Sequence, residues 1–297
     1  MIKKWLGWES VDISTYRDAY NLYGGNISTH PDVLEFQHQS FNIPHKYYAM
    51  FSKAGTVSAS ICIWDNKFLA NDPKNCNNNK RHLSVPTDEL IIPIKNNKKI
   101  ILPVSSRFIS DINSHNIINC SSSINSNRRI CLVDDKYKNS PSKNVERKFY
   151  KFMDIGGSVV DCNDINIDDI CDIFLHLTEV RWGRFGGDKQ LTKDFFRTVE
   201  PYIFGNILFI KGQPLAYNFT TKLSSCDNNY IEYIHSGTDF NLVPKNISPG
   251  EILIYSNIKK AFNTFKNNVR YSFGNPSRDY KKRWCSTVPL SRSAFPI

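Results

Sequence analysis

No two of the eight cysteines (Cys62, Cys76, Cys120, Cys131, Cys162, Cys171, Cys226 and Cys285) stand close enough for a CxxC knuckle, and this excludes the usual structural zinc site. A disulfide framework is not required either, because 297 residues with 40% hydrophobic content can bury a core unaided. We read the thiols as reduced and mostly packed. No run of about 18 apolar residues occurs, so no membrane-spanning helix is expected. Met1 to Glu9 carries Lys3 and Lys4 but no apolar run of signal-peptide length, and a cytoplasmic location is expected. Trp5 and Trp8, beside those lysines, read as packing residues, with contact to a bilayer surface as the alternative. Glycine and proline stand at 14 each, too few for a collagen or a linker protein. There is no Cys–His or Ser–His nucleophile motif. No zinc, RNP or helix-turn-helix signature supports a nucleic-acid binder.

What the chain does have is positive charge. Lys and Arg number 38 against 28 Asp and Glu, for a formal charge of +10 and a pI near 9.1. An anionic partner is therefore plausible on electrostatic grounds. The charge is uneven: residues 154–179 hold seven acids and no Lys or Arg, whereas the last 43 residues hold nine basic residues and one acid, Asp279. Length alone suggests two domains at about 150 residues each.

The first half mixes helix and strand signals. Pro31, followed by Asp32 and Glu35, marks a helix start. Residues 46–51 and 57–64 are β-prone runs around a Gly55 turn. Residues 71–82 are Asn-rich and read as loop, as do 95–99 and 121–129; short strands are expected at 90–94 and 100–104. The second half is more regular. A strand at 129–133 precedes a helix with Val145, Phe149 and Phe152 on one face, closed by Gly156-Gly157. A strand at 158–160 leads to Asn166, which is placed to cap a helix ending near Arg181-Trp182-Gly183, and another helix covers 192–199. Strands at 206–210, 215–221 and 229–236 follow. Ser248-Pro249-Gly250-Glu251 has the form of an S-x-x-E capping box with Pro at the first helical position. A last strand covers 269–273. A three-strand meander, a crossover helix and one more strand suit an antiparallel sheet that turns parallel around that helix.

The run Gly237-Thr238-Asp239-Phe240, Ser248-Pro249-Gly250-Glu251-Ile252-Leu253-Ile254, Tyr271-Ser272-Phe273-Gly274-Asn275 and Tyr280-Lys281-Lys282-Arg283-Trp284 resembles the C-terminal half of Fem-like acyltransferases of the GNAT superfamily. Arg181-Trp182-Gly183 and Gln213-Pro214-Leu215-Ala216 fit the same template. Tyr23-Gly24-Gly25, His30-Pro31 and Trp64 resemble the macrophage-inducible-gene family of Gram-negative bacteria, whose members are linked to antimicrobial-peptide resistance. The resemblance implies an α/β chain of tandem GNAT-like domains, here 1–129 and 130–297, with a mixed, mostly antiparallel sheet flanked by helices. It implies an N-acyltransferase whose acyl-CoA or aminoacyl-tRNA donor meets an amine acceptor. Peripheral contact with an anionic inner-membrane surface and no resident metal are further expectations.

Ser248, Pro249, Gly250, Glu251 and Ile252 form the helix N-terminus that meets coenzyme A pyrophosphate in GNAT enzymes, where unpaired N–H groups and the helix dipole favour an anion. The chain departs from the family loop by having one glycine there and by carrying Glu251. Tyr280 is the candidate acid for the leaving group and His235 and Glu232 are candidate bases. Arg181, Trp182, Asp239 and Lys281 are candidate substrate contacts. His235 and Glu232, three apart on one strand, share a face only if a bulge intervenes. The donor reading turns on whether the strand before Ser248 splays from the one ending near Phe273. The competing reading is a catalytically silent GNAT-like module that docks on an anionic surface.

Overall fold

The computed structural model describes residue 4 and residues 6–74, 85–121, 127–134, 137, 143–225, 228–265 and 268–294. Trp5, Cys76, Cys226 and most of the Asn-rich 71–82 stretch lie outside them. In the first half, β1 (Glu9–Val11) is followed by α1 (Ile13–Tyr23), which the Asp12 carboxylate caps by accepting the Thr15 N–H at 2.9 Å. Helix α2 (Pro31–Phe41) starts with Pro31 at its first position, and the His30 ring accepts the Asp32 N–H at 3.2 Å. Strands β2 (His45–Phe51), β3 (Val57–Trp64) and β4 (Phe68–Leu69) complete a sheet in the order β1-β2-β3-β4. Residues 90–94 and 100–104 make only single bridges, such as Leu90 to Ile109 and Ile100 to Ile117. Pro93 and Pro103 have no N–H to offer a ladder. Their neighbours Ile91, Ile92, Ile94, Ile100 and Leu102 are nevertheless buried. Strand β5 (Ser106–Ile109), a helical turn α3 (Asp111–Ser114) and β6 (Cys120–Ser121) follow.

The second half runs β7 (Arg129–Val133), α4 (Lys143–Asp154), β8 (Gly157–Asp161), α5 (Ile167–Trp182) and α6 (Lys189–Val199). Then come β9 (Asn206–Ile210), β10 (Gln213–Ser224), β11 (Asn229–Thr238), α7 (Pro249–Thr264) and β12 (Val269–Ser272). Two strands outside the expected pattern end it, β13 (Cys285–Pro289) and β14 (Ser291–Ser293). The large sheet has the order β13-β7-β12-β11-β10-β9-β8. Its pairs are antiparallel except β11–β12, the parallel pair that α7 connects. One face packs on α5 and α6, with Phe174 and Phe196 against Tyr217 and Phe219. The other face packs on α7, with Ile254, Tyr255 and Ile258 against Ile231 and Tyr271. The α/β fold is thus of the expected class, with a mostly antiparallel central sheet flanked by helices.

A buried polar seam joins the halves. Asn26 Nδ2 donates to Glu232 Oε1 and to the Glu89 carbonyl, each at 3.0 Å, and the Ile27 N–H donates to Glu232 Oε2 at 2.8 Å. Arg270 on β12 pairs with the Glu89 carboxylate and with Asp111 at 2.7 Å. Strand β14 crosses the expected 129/130 division, because it lies between β5 and β6 of the first half.

Candidate active site at the splayed strands

Strands β11 and β12 pair from Asn229–Val269 to Glu232–Ser272 and no further. Past that point the Phe273 N–H turns to the Cys131 carbonyl of β7 at 2.8 Å, whereas β11 continues to Thr238 beside β10. The strands therefore diverge at Glu232, and among the described residues no strand covers the outer edge of β11 beyond it. The gap opens into a cleft of about 250 Å³ lined by Arg181, Asn218, Tyr233, Ser236, Thr238, Phe240, Ser248, Gly250, Glu251, Ile254, Tyr280, Arg283 and Trp284.

A bulge shapes the floor. On β10, Phe219 faces His235 and Thr220 faces Tyr233, which leaves Ile234 as the extra residue. The bulge puts Ile234 and His235 both toward α5, and Glu232 shares that face. The His235 ring lies 5.4 Å from that of Phe174, its Nδ1 has no hydrogen-bond partner, and burial lowers its pKa. Glu232 is bound to Asn26 and Ile27, and burial pushes its pKa up to about 7. The two candidate bases thus share a face, but neither lines the cleft. Tyr233, Ser236 and Thr238 do, from the opposite face of β11.

Tyr280, in a 3₁₀ turn at Asp279–Arg283, lines the cleft and donates its hydroxyl to Tyr233 Oη at 3.2 Å. Burial first, then the neighbouring Tyr233, holds the Tyr280 hydroxyl well above its ordinary pKa, so it remains a protonated donor at neutral pH. Lys281 does not reach the cleft. Its ammonium donates to the carbonyls of Phe273 at 2.5 Å and Asn275 at 2.7 Å, and burial lowers its pKa. It ties the 3₁₀ turn to the end of β12, which sets where Tyr280 and Trp284 stand. Asp239 caps its own turn by accepting the Asn241 N–H at 2.9 Å and is absent from the cleft wall.

The first turn of α7 differs from the capping box that its sequence suggests. Ser248 makes no side-chain cap, and Glu251 does not reach back to it. The Glu251 carboxylate is drawn instead between two cations, Lys148 of α4 at 2.5 Å and Arg283 at 2.6 Å. Charge-assisted bonds to two cations outweigh one bond to a backbone N–H. Gly250 faces open space, while Pro249 is buried and Ile252 is packed in the core. A pyrophosphate is poorly served here. Pro249 has no N–H, and Glu251 already neutralises the nearest cations. Part of the basic excess of the C-terminal region is similarly committed: Arg270 pairs with Glu89, Lys260 with Asp161 and Lys282 with Asp279.

Arg181, in the last turn of α5, lines the opposite wall. Its guanidinium carbon lies 5.2 Å from the Trp182 ring centroid and 4.9 Å from that of Phe240. Sequence reasoning missed Asn218, Tyr233, Ser236, Thr238 and Phe240. The first and third sit opposite each other across β10 and β11, and only the bulge register reveals which residues of β11 point into the cleft. Among the described residues no group of three or more His, Cys, Asp or Glu could hold a metal, and no helix is long and apolar enough to cross a membrane.

Solved structures of similar fold cover almost the whole chain. The FemX crystal structure superposes with a TM-score of 0.56 at 8% identity, covering 98% of this chain and 97% of that one. The C-terminal domain of a putative lysylphosphatidylglycerol synthetase from Agrobacterium fabrum gives 0.52 at 10% identity, over 96% and 92% of the two chains. The L-PGS structure from Bacillus licheniformis gives 0.52 at 10% identity, over 97% and 94%. At these identities the likeness is one of fold. No curated protein matches the chain. The Mig-14 family model spans residues 30–293, from the cap of α2 to the end of β14, and the chain accordingly belongs to the Mig-14 family.

Proposed function

We propose that the chain is an N-acyltransferase that moves an acyl or aminoacyl group from an ester or thioester donor to an amine in the cleft between β11 and α7. The observation that carries this reading is the divergence of β11 from β12 at Glu232–Ser272, which frees a strand edge for an extended donor arm. The amine nitrogen attacks the donor carbonyl carbon; a C–N bond forms, the C–O or C–S bond breaks, and the amine loses a proton. No covalent enzyme intermediate is required. Tyr280 is placed to protonate the leaving oxygen or sulfur, and Tyr233 orients it through their hydroxyl pair. Among the described residues no His or Asp lines the cleft. The acceptor enters as the free amine, and the proton it loses on forming the amide goes to water. Tyr280, having protonated the leaving group, regains its proton from water.

The donor inferred from the first turn of α7 is an aminoacyl ester, because Glu251 with Lys148 and Arg283 disfavours a CoA pyrophosphate. The names FemX and lysylphosphatidylglycerol synthetase on similar folds support that choice. A contribution to antimicrobial-peptide resistance, through acylation of an amine-bearing target, belongs to the same proposal.

The test is transfer from labelled aminoacyl-tRNA and, in parallel, from labelled acetyl-CoA to a panel of amines. Transfer from at least one donor is expected, with Tyr280→Phe slowing it by about 100-fold while donor affinity is kept. Failure of both donors to bind at millimolar concentration overturns the reading.

A further inference from the structure

Three charged side chains line the cleft: Arg181, Glu251 and Arg283. Glu251 and Arg283 pair with each other, and Lys148 completes that cluster. Arg181 differs from both. Among the described residues no carboxylate pairs with it, and its surroundings are the rings of Trp182 and Phe240. Asp239, one residue from Phe240, is turned to its own backbone by the bond from the Asn241 N–H. Trp182 and Phe240 remain 50% and 48% exposed, although each is large and apolar. Both rings stand within cation–π reach of the guanidinium, and among the described residues its N–H groups have no protein acceptor. A fork placed in this way suits a planar or tetrahedral oxyanion bound through two hydrogen bonds.

We propose that Arg181 receives an oxyanion of the acceptor, a carboxylate or a phosphate, so that the acceptor is zwitterionic, with its amine toward Tyr233 and Tyr280. The proposal rests on the transferase reading for the role of the amine, but the oxyanion site itself is a matter of binding. Trp182 and Phe240 then border the acceptor's own apolar or planar portion and select against compact inorganic anions.

Binding of three small amines to the donor-free protein is measured by ligand-observed NMR titration: phosphoethanolamine, glycylglycine and ethanolamine. The wild type is expected to bind at least one zwitterion at least tenfold more tightly than ethanolamine, which lacks an oxyanion. Preference for phosphoethanolamine assigns a phosphate, and preference for glycylglycine a carboxylate. Arg181→Gln abolishes the preference, Arg181→Lys restores a minor part of it because an ammonium neither stacks nor forks, and Phe240→Leu weakens it severalfold. Arg181 is at the surface, and circular dichroism of each variant checks that it folds. Equal binding of all three amines, or an unchanged preference in Arg181→Gln, overturns the proposal. A preference that depends on Arg181 in a protein without transfer activity keeps the oxyanion site and removes the transferase reading.

Discussion

At the scale of single residues, the most unusual group is Glu232. It is fully enclosed between β11 and the Asn26–Ile27 turn, near Glu89 and Arg270, and its pKa is pushed up from 4.5 to about 7, chiefly by burial. Below about pH 4.5 the folded and unfolded chains both carry the proton. Between there and about pH 7 the unfolded chain has lost it and the folded chain keeps it, so the stability linked to this group falls as pH rises and levels off above 7. The change is on the order of 3 kcal/mol across the window. Urea midpoints measured from pH 4.5 to 7.5 are expected to decline less in Glu232→Gln than in the wild type. Identical slopes in the two proteins contradict this account. Glu232 thus reads as a folding determinant behind the site, although from sequence it looked like a candidate base. Its neighbours in space lie more than 200 residues away in sequence, at Asn26 and Ile27, and no local pattern could place them.

At the scale of elements, the site depends on how closely α5 approaches β11. Gly237 allows that approach: a Cβ added there meets the Leu177 side chain at 2.6 Å and the Leu177 backbone at 2.7 Å. Gly237→Ala is therefore expected to cost about 2–3 kcal/mol in urea unfolding, because helix backbone has to move. A change under about 0.5 kcal/mol, the range of an unconstrained surface position, contradicts a tight contact. Much of this level was legible in the sequence. The succession from β7 to β12 follows apolar periodicity and turn residues, and the parallel β11–β12 pair follows from the helix between its strands. Two kinds of feature were not legible. The S-x-x-E signature of Ser248 was overridden by tertiary cations, Lys148 and Arg283, which a local motif cannot register. Strands β13 and β14 lack strong alternation, because they gain order from partners at β7, β5 and β6 and have little preference of their own. The cleft-facing set of β11 depended on one inserted residue, Ile234, which reverses the facing of every residue after it.

At the scale of the whole molecule, the halves are joined by charge and by chain. Arg270 of the large sheet reaches Glu89 and Asp111 of the first half, and Glu89 is only 2% exposed. Arg270→Ala leaves that carboxylate buried without its cation and is expected to destabilise the protein by about 3–5 kcal/mol. Combining Arg270→Met with Glu89→Gln is expected to recover part of the loss, and a double variant as unstable as the single one argues against a charge-based seam. The second link is β14. The Ser106 N–H donates to Ser293 Oγ across 187 positions of sequence, and β5 and β6 do not pair with each other; they pair only through β14. During synthesis this separation becomes a delay. At about 5–20 residues per second, β5 leaves the ribosome roughly 10–40 s before the strand that completes its sheet. Through that interval the first half presents an open strand edge next to its apolar core residues. The nascent chain is thus most vulnerable to misassociation, and most dependent on chaperones, while the second half is still being made.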